Sequence, residues 1–156
     1  MDVRLRPVDD ADLDAIFAMM RDPAAVALAA FTPEDPDDRA SFEARLGRHR
    51  RSPEVLLRAI VADGGFAGTV AAFTIDGERE VSYWVPRPLW GRGIASAALA
   101  LLLSEEPARP LHARVAAHNA PSRRVLERAG FVESGRATSY AAGAARDVDE
   151  VLLVLR

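Results

Sequence analysis

The chain has 156 residues, 49% of them apolar and 28% charged, and a formal net charge of -3. That length and balance fit one globular domain with its own core, and the lack of a basic excess argues against nucleic acid as the main partner. There is no Cys, and all 20 basic residues are Arg. Disulfides, thiolate metal sites, a Cys nucleophile, a Schiff-base lysine and a Walker-type phosphate loop are thereby excluded.

No apolar run approaches the roughly 18 residues of a membrane span. The start of the chain, M-D-V-R-L-R-P, lacks a signal-peptide apolar stretch, so a cytoplasmic location is expected. Val3 to Arg6 reads as a short strand. Asp9 or Asp10 caps the following helix, with Asp12 in its first turn. Leu13, Ile16, Phe17 and Met20 recur at helical spacing and give that helix one buried face. Residues 24–31 form a small apolar helical segment after Asp22-Pro23, and Thr32 to Pro36 a break. A polar helix runs from about Asp37 to Arg50, acidic at its front and basic at its tail, as the helix dipole favours. Ser52-Pro53 ends it.

Strands then dominate. Residues 55–62, 66–75 and 78–85 make an antiparallel meander, turning at Asp63-Gly64-Gly65 and at Asp76-Gly77, a strong two-residue hairpin signal. A Gly-rich turn leads into an Ala/Leu helix at about 93–105, closed by Pro107 and Pro110. Residues 111–116 are a fifth strand. Asn119 caps a helix with Pro121 in its first turn and Gly130 just past its end. Residues 131–138 and 148–155 are the last two strands, joined by S-Y-A-A-G-A-A-R. The order βαα-βββ-α-β-α-ββ implies an α+β fold: a mixed, mostly antiparallel sheet with helices on both faces. No internal repeat or linker divides residues 1–156, so one domain is expected.

The stretch from Val81 to Ala95 carries the chemistry. Glycines allow a ligand close to the backbone, and a helix start offers unpaired N–H groups and partial positive charge. Gly93, Ile94, Ala95 and Ser96 include no acid, although Asp and Glu are favoured there, and Arg92 precedes them. A helix start without its own anion suits a bound phosphate; the competing explanation is a Gly turn chosen for tight packing of helix on strand. A dinucleotide site is discounted. The strand at 111–116 does not end in the required acid, and the preceding strands form a meander rather than a parallel unit.

At this point the chain resembles the GCN5-related N-acetyltransferases, and within them the RimJ/RimL-like branch. Trp90-Gly91-Arg92-Gly93-Ile94-Ala95 is similar to the family's [Q/R]-x-x-G-x-[G/A] turn, with Trp in place of Gln or Arg as in that branch. Asn119, Ser122, Val125, Leu126, Gly130 and Phe131 match a second signature, N-x-x-S-x-x-V-L-x-x-x-G-F. The resemblance spans nearly the whole chain and is weakest over residues 20–55.

It implies an acetyl-CoA-dependent N-acetyltransferase acting on a primary amine, either a protein N-terminus or a small molecule, by direct attack in a ternary complex and without a metal. The backbone of Trp90, Gly91, Arg92, Gly93, Ile94 and Ala95 would bind the pyrophosphate. The pantetheine would lie where the strand ending near Val85 splays from the strand at 111–116. Asn119 would bond the pantetheine or cap its own helix, and Arg123 or Arg124 would meet the 3'-phosphate or lie in solvent. The N–H of Tyr83, Trp84 or Val85 would polarise the thioester carbonyl. Glu80 is the candidate base, directly or through water, unless E-R-E is only the polar mouth of the hairpin; Glu78 shares its face but lies further out. Many family members carry an acidic-proton Tyr where Leu126 stands, so Ser122 is the candidate general acid; its other reading is a first-turn helix hydroxyl. Tyr83 is expected to pack in the sheet. The acceptor pocket is expected between residues 20–35 and the 139–146 loop. The rival is a non-catalytic acyl-CoA-binding sensor, and monomer and homodimer are equally open.

Overall fold

A computed structural model describes residues 1–156. Seven strands form one sheet: β1 (Val3–Arg6), β2 (Leu56–Ala62), β3 (Gly65–Ile75), β4 (Glu78–Trp84), β5 (Leu111–Ala116), β6 (Val132–Ala141) and β7 (Arg146–Leu155). The spatial order is β1-β2-β3-β4-β5-β7-β6, and every neighbouring pair is antiparallel except β4 and β5. Five α-helices flank it: α1 (Leu13–Met20), α2 (Pro23–Ala29), α3 (Arg39–Arg51), α4 (Ile94–Glu105) and α5 (Ala120–Arg128). A 3-10 turn at Asp10–Asp12 leads into α1, and a second, Arg87–Leu89, follows β4. No helix is long and apolar enough to cross a membrane.

Both sheet faces are covered, which is why β2 reads as a nearly continuous apolar run. Ile60, Val70, Ala72 and Val81 join Leu99 and Leu102 of α4 and Leu126 of α5 in the main core. On the opposite face Ala59 packs with Ile16, Met19, Phe42 and Leu46 of α1 and α3. Phe42 and Leu46, four residues apart, are the buried anchors of the otherwise polar α3. A small third cluster, Ala30, Ala116, Ala141 and Val148, sits over the β5–β7 half.

The expected elements are all present; α3 begins at Arg39, the Asp9 cap opens a 3-10 turn ahead of α1, and the larger changes of bounds are at two places. The segment expected to be helical over 24–31 stops at Ala29. Ala30 takes φ 63 and the Phe31 N–H donates to the Ala29 carbonyl at 2.7 Å, a tight turn that breaks the ladder. The last hairpin is longer than expected. Pairing continues from Ala137↔Glu150 to Ala141↔Arg146, so half of the expected S-Y-A-A-G-A-A-R loop belongs to strands and the turn shrinks to residues 142–145.

One glycine sets the end of β4. Ile60 pairs with Gly68 but Val61 with Phe66, so Ala67 is an extra residue that bends β3. Gly68 has φ 125, and a Cβ there would overlap the carbonyl oxygen of Trp84. Only glycine lets β3 approach the strand end this closely.

Candidate active site

β4 and β5 share a single parallel pairing, Glu80↔His112. β4 runs on to Trp84 and β5 to Ala116 with no further pairing between them, so the sheet splits into a V. Backbone groups facing into that V lack a strand partner and suit an extended ligand. A cavity of about 470 Å³ occupies this region. Its walls are α2 (Ala25, Leu28, Ala29), the end of β4 (Tyr83, Trp84, Val85), the following turn (Leu89, Trp90, Gly91, Gly93), the start of α4 (Ile94, Ala95, Ser96) and α5 (Asn119, Pro121, Ser122, Arg124, Val125, Arg128).

The Gly turn is built for access rather than for packing. Gly91 and Gly93 have φ of 76 and 79, and a Cβ on either would meet no protein atom within 4 Å. The first bond of α4 is from Ala97 N–H to the Gly93 carbonyl, 3.1 Å. Ile94, Ala95 and Ser96 therefore present three N–H groups with no acceptor inside the protein, and no side chain caps them. Together with the dipole this is an anion cradle. Trp90 explains its own presence in the motif. Its indole N–H donates to the carbonyl of Val85 at 2.7 Å, closing the turn onto the end of β4.

The walls are clipped in place. Trp84 donates from its indole to the Met19 carbonyl at 3.1 Å, tying β4 to α1. Arg87 donates to Asp22 at 2.8 Å, and Asp22 also caps α2 through Ala24 N–H at 2.9 Å, so α2 is held against the turn. His118 bonds the Ala27 carbonyl at 2.9 Å, fixing α2 from the other side.

Asn119 caps α5, its Oδ1 accepting from Ser122 N–H at 3.2 Å. Its amide nitrogen has no partner in the protein, so one side chain can cap the helix and still donate into the cavity it lines. Arg123 is paired with Glu127 at 2.7 Å and Glu133 at 3.0 Å, whereas Arg124 lines the cavity. Arg92 lies in the exposed turn outside the cavity wall.

Glu80 is 4% exposed at the vertex of the V, with Arg114 Nε at 3.4 Å. The same guanidinium reaches Glu150, also 4% exposed, at 3.3 Å. By strand alternation Glu80 lies on the face of β4 opposite Tyr83, and it is outside the cavity lining. Ser122 does line the cavity. Its Oγ is 2.8 Å from the hydroxyl of Tyr83, which also lies 2.9 Å from the Ser122 carbonyl. Burial pushes the Tyr83 phenol up to about 12, although the bond to Ser122 acts the other way. Tyr83 thus packs in the sheet as expected, but its hydroxyl reaches the site. Contacts such as Tyr83 to Ser122 and Trp84 to Met19 join distant parts of the chain, and no local pattern announces them. The α2 wall (Ala25, Leu28, Ala29) lies within residues 20–35, expected to line the acceptor pocket, and here it lines the same cavity as the Gly turn.

A family model for the acetyltransferase (GNAT) domain matches residues 2–132. The chain belongs to this family. Three solved structures share its fold over almost its full length. Mycobacterium smegmatis RimJ in complex with CoA-disulfide is 29% identical, with a TM-score of 0.75, covering 97% of this chain and 81% of that one. The ribosomal-protein-alanine N-acetyltransferase from Brucella melitensis is 25% identical, with a TM-score of 0.78 and coverage of 97% and 98%. A phosphinothricin acetyltransferase from Sinorhizobium meliloti in complex with AcCoA is 20% identical, with a TM-score of 0.83 and coverage of 99% and 88%. No curated protein matches the chain significantly. The RimJ and ribosomal-protein-alanine enzymes place it in the RimJ/RimL-like branch. It is an N-acetyltransferase.

Proposed function

We propose that residues 1–156 form a single acetyltransferase domain that acetylates a primary amine by direct attack in a ternary complex. The observation that carries this reading is one cavity in which three unpartnered helix-start N–H groups meet the open side of the β4–β5 split. The residues fit acetyl-CoA by two criteria: an anion cradle of donors, and unpaired strand edges to hold an extended amide-bearing arm. Acetyl-CoA supplies the activated acetyl thioester. Gly91 to Ser96 hold the pyrophosphate through backbone N–H groups, and Arg124 or Arg123 meets the 3'-phosphate. Asn119 Nδ2 donates to the pantetheine, and an N–H among Tyr83, Trp84 and Val85 polarises the thioester carbonyl.

Proton handling falls to two side chains. Glu80, held by the Arg114 guanidinium, receives the amine proton through water, since it faces away from Tyr83. Ser122 protonates the leaving sulfur. The acceptor class follows the branch: an α-amine at a protein N-terminus is favoured over small amines. A second cleft, across α2 and lined by Arg21, Asp22, Pro36, Arg87, Gly143 and Arg146, lies beside the segments where acceptor contacts are expected.

The test mixes purified protein with acetyl-CoA and a panel of peptides and small amines and follows CoA release. Release with an Ala-starting peptide, reduced about 100-fold or more by Glu80→Gln, is the expected result. Binding of acetyl-CoA without release across the panel would establish the sensor instead. Release unaffected by Glu80→Gln would remove Glu80 from the mechanism.

A further inference from the structure

The family's usual source of the leaving-group proton is missing: Leu126 stands at that helical position and is buried in the main core. If Ser122 takes over, as proposed above, its hydroxyl proton must point at the ligand. In the free protein that proton has a competing acceptor. The Tyr83 hydroxyl has one proton and two acceptors, the Ser122 carbonyl at 2.9 Å and Ser122 Oγ at 2.8 Å. When Tyr83 donates to the carbonyl, its own oxygen is open as an acceptor and competes with the cavity ligand for the serine proton. When Tyr83 donates to Oγ, the serine proton is free to turn outward. Both arrangements use the same heavy-atom positions, so switching costs a hydroxyl rotation and no backbone movement. The carbonyl lost as an acceptor sits inside α5, where the helix ladder supplies another donor.

We propose that Tyr83 is the positioning residue for Ser122: by donating to Ser122 Oγ it frees the serine proton to point at the sulfur of the bound thioester. The inference rests on the reading of Ser122 as the general acid. As the carbon–sulfur bond breaks, its electron pair goes to sulfur, and sulfur takes the proton of Ser122 Oγ. Ser122 regains a proton from cavity water, and the proton that Glu80 took from the amine returns to solvent, so the net transfer is from amine to sulfur. Tyr83 keeps its own proton throughout, in keeping with a phenol pushed up to about 12 by burial. The pair is thus a donor switch set by one strand and read by one helix.

The test needs no acceptor. Free CoA is bound to the protein, and its thiol is titrated by thiolate ultraviolet absorbance. Arg124 and Arg128, the charged groups lining the same cavity, are kept in every variant. In the wild type the bound thiol should titrate below that of free CoA. Ser122→Ala should raise it by about one pH unit, the size of a hydrogen bond to a charged atom, and Ser122→Thr should restore it. Tyr83→Phe should raise it by about half as much, and the double variant should match Ser122→Ala alone. Affinity for desulfo-CoA should be the same in all of them. No shift with Ser122→Ala overturns the acid assignment itself. A shift with Ser122→Ala but none with Tyr83→Phe overturns the positioning role alone. A Tyr83→Phe variant that weakens CoA and desulfo-CoA equally shows packing only, and also overturns it.

Discussion

The starts of α4 and α5 face the same cavity and solve the same problem in opposite ways. α5 silences its N–H groups itself: Asn119 accepts from Ser122, Pro121 has no N–H to satisfy, and Arg123 N–H already bonds the Asn119 carbonyl at 3.2 Å. α4 does none of this. It begins on Gly93, carries no acid, and leaves Ile94, Ala95 and Ser96 open. The remaining α-helices side with α5. α2 is capped by Asp22, α3 by Asp38 and the turn into α1 by Asp9. The contrast shows that the open end is a local exception in a chain that otherwise caps its helices, and exceptions of this kind mark function.

The harshest way to break the contrast is Gly93→Val. A branched side chain at φ 79 strains the turn and occupies ligand space, so acetyl-CoA affinity by calorimetry should fall on the order of 100-fold. Ser96→Asp is gentler and more telling. It gives α4 an anion at its start, as Asp22 and Asp38 give α2 and α3. The free protein should gain about 0.3–1 kcal/mol in a denaturant melt, while acetyl-CoA binds about 10-fold more weakly. Opposite signs in the two measurements are the point; a loss in both would mean that Ser96 only packs. On the α5 side, Asn119→Ala should cost about 1 kcal/mol of stability. Asn119→Asp keeps the accepting oxygen and so the stability, but removes the donor and should weaken acetyl-CoA about 3-fold, the loss of one modest hydrogen bond.

The smallest effect concerns the self-capped start of α1. The Arg6 guanidinium, at 2.7 and 2.8 Å, holds the Asp12 carboxyl below the usual carboxylate range against the opposing effect of burial. A depressed folded-state pKa means stability that is present above the ordinary Asp value and lost as pH falls through the folded value. Asp12→Asn should therefore flatten the acid side of the pH–stability curve and leave acetyl-CoA binding at neutral pH unchanged.

Much of this arrangement could be read from residues in order. Asp-Gly and Gly-Gly turns marked the meander, and the acid-free run from Gly93 to Ser96 marked the open helix start, because both signals are local. The structure decides what those signals left open. The glycines at 91 and 93 are not there for packing, since nothing lies within 4 Å of their missing Cβ atoms. Gly68 is, and its partner Trp84 is too far along the chain for any sequence window to link them. The Glu80–Arg114–Glu150 cluster spans three strands, so its geometry depends on register across the V rather than on spacing. The Tyr83–Ser122 contact is hidden for the same reason: strand alternation tells which face Tyr83 takes, but not which helix covers it.

The single pairing of Glu80 with His112 has a mechanical meaning as well. That one pairing is all the sheet hydrogen bonding that joins two plates, β1–β4 and β5–β7; beyond it they are linked by side chains such as Tyr83 to Ser122. A cleft that opens within one sheet is also a joint. Whatever lies in it acts as a splint, and at 100 times its dissociation constant a ligand that binds only the folded chain adds about 2.7 kcal/mol to stability. Loading with cosubstrate and bracing of the scaffold would then be one event, so the enzyme would be most rigid when charged and most pliable after product has left.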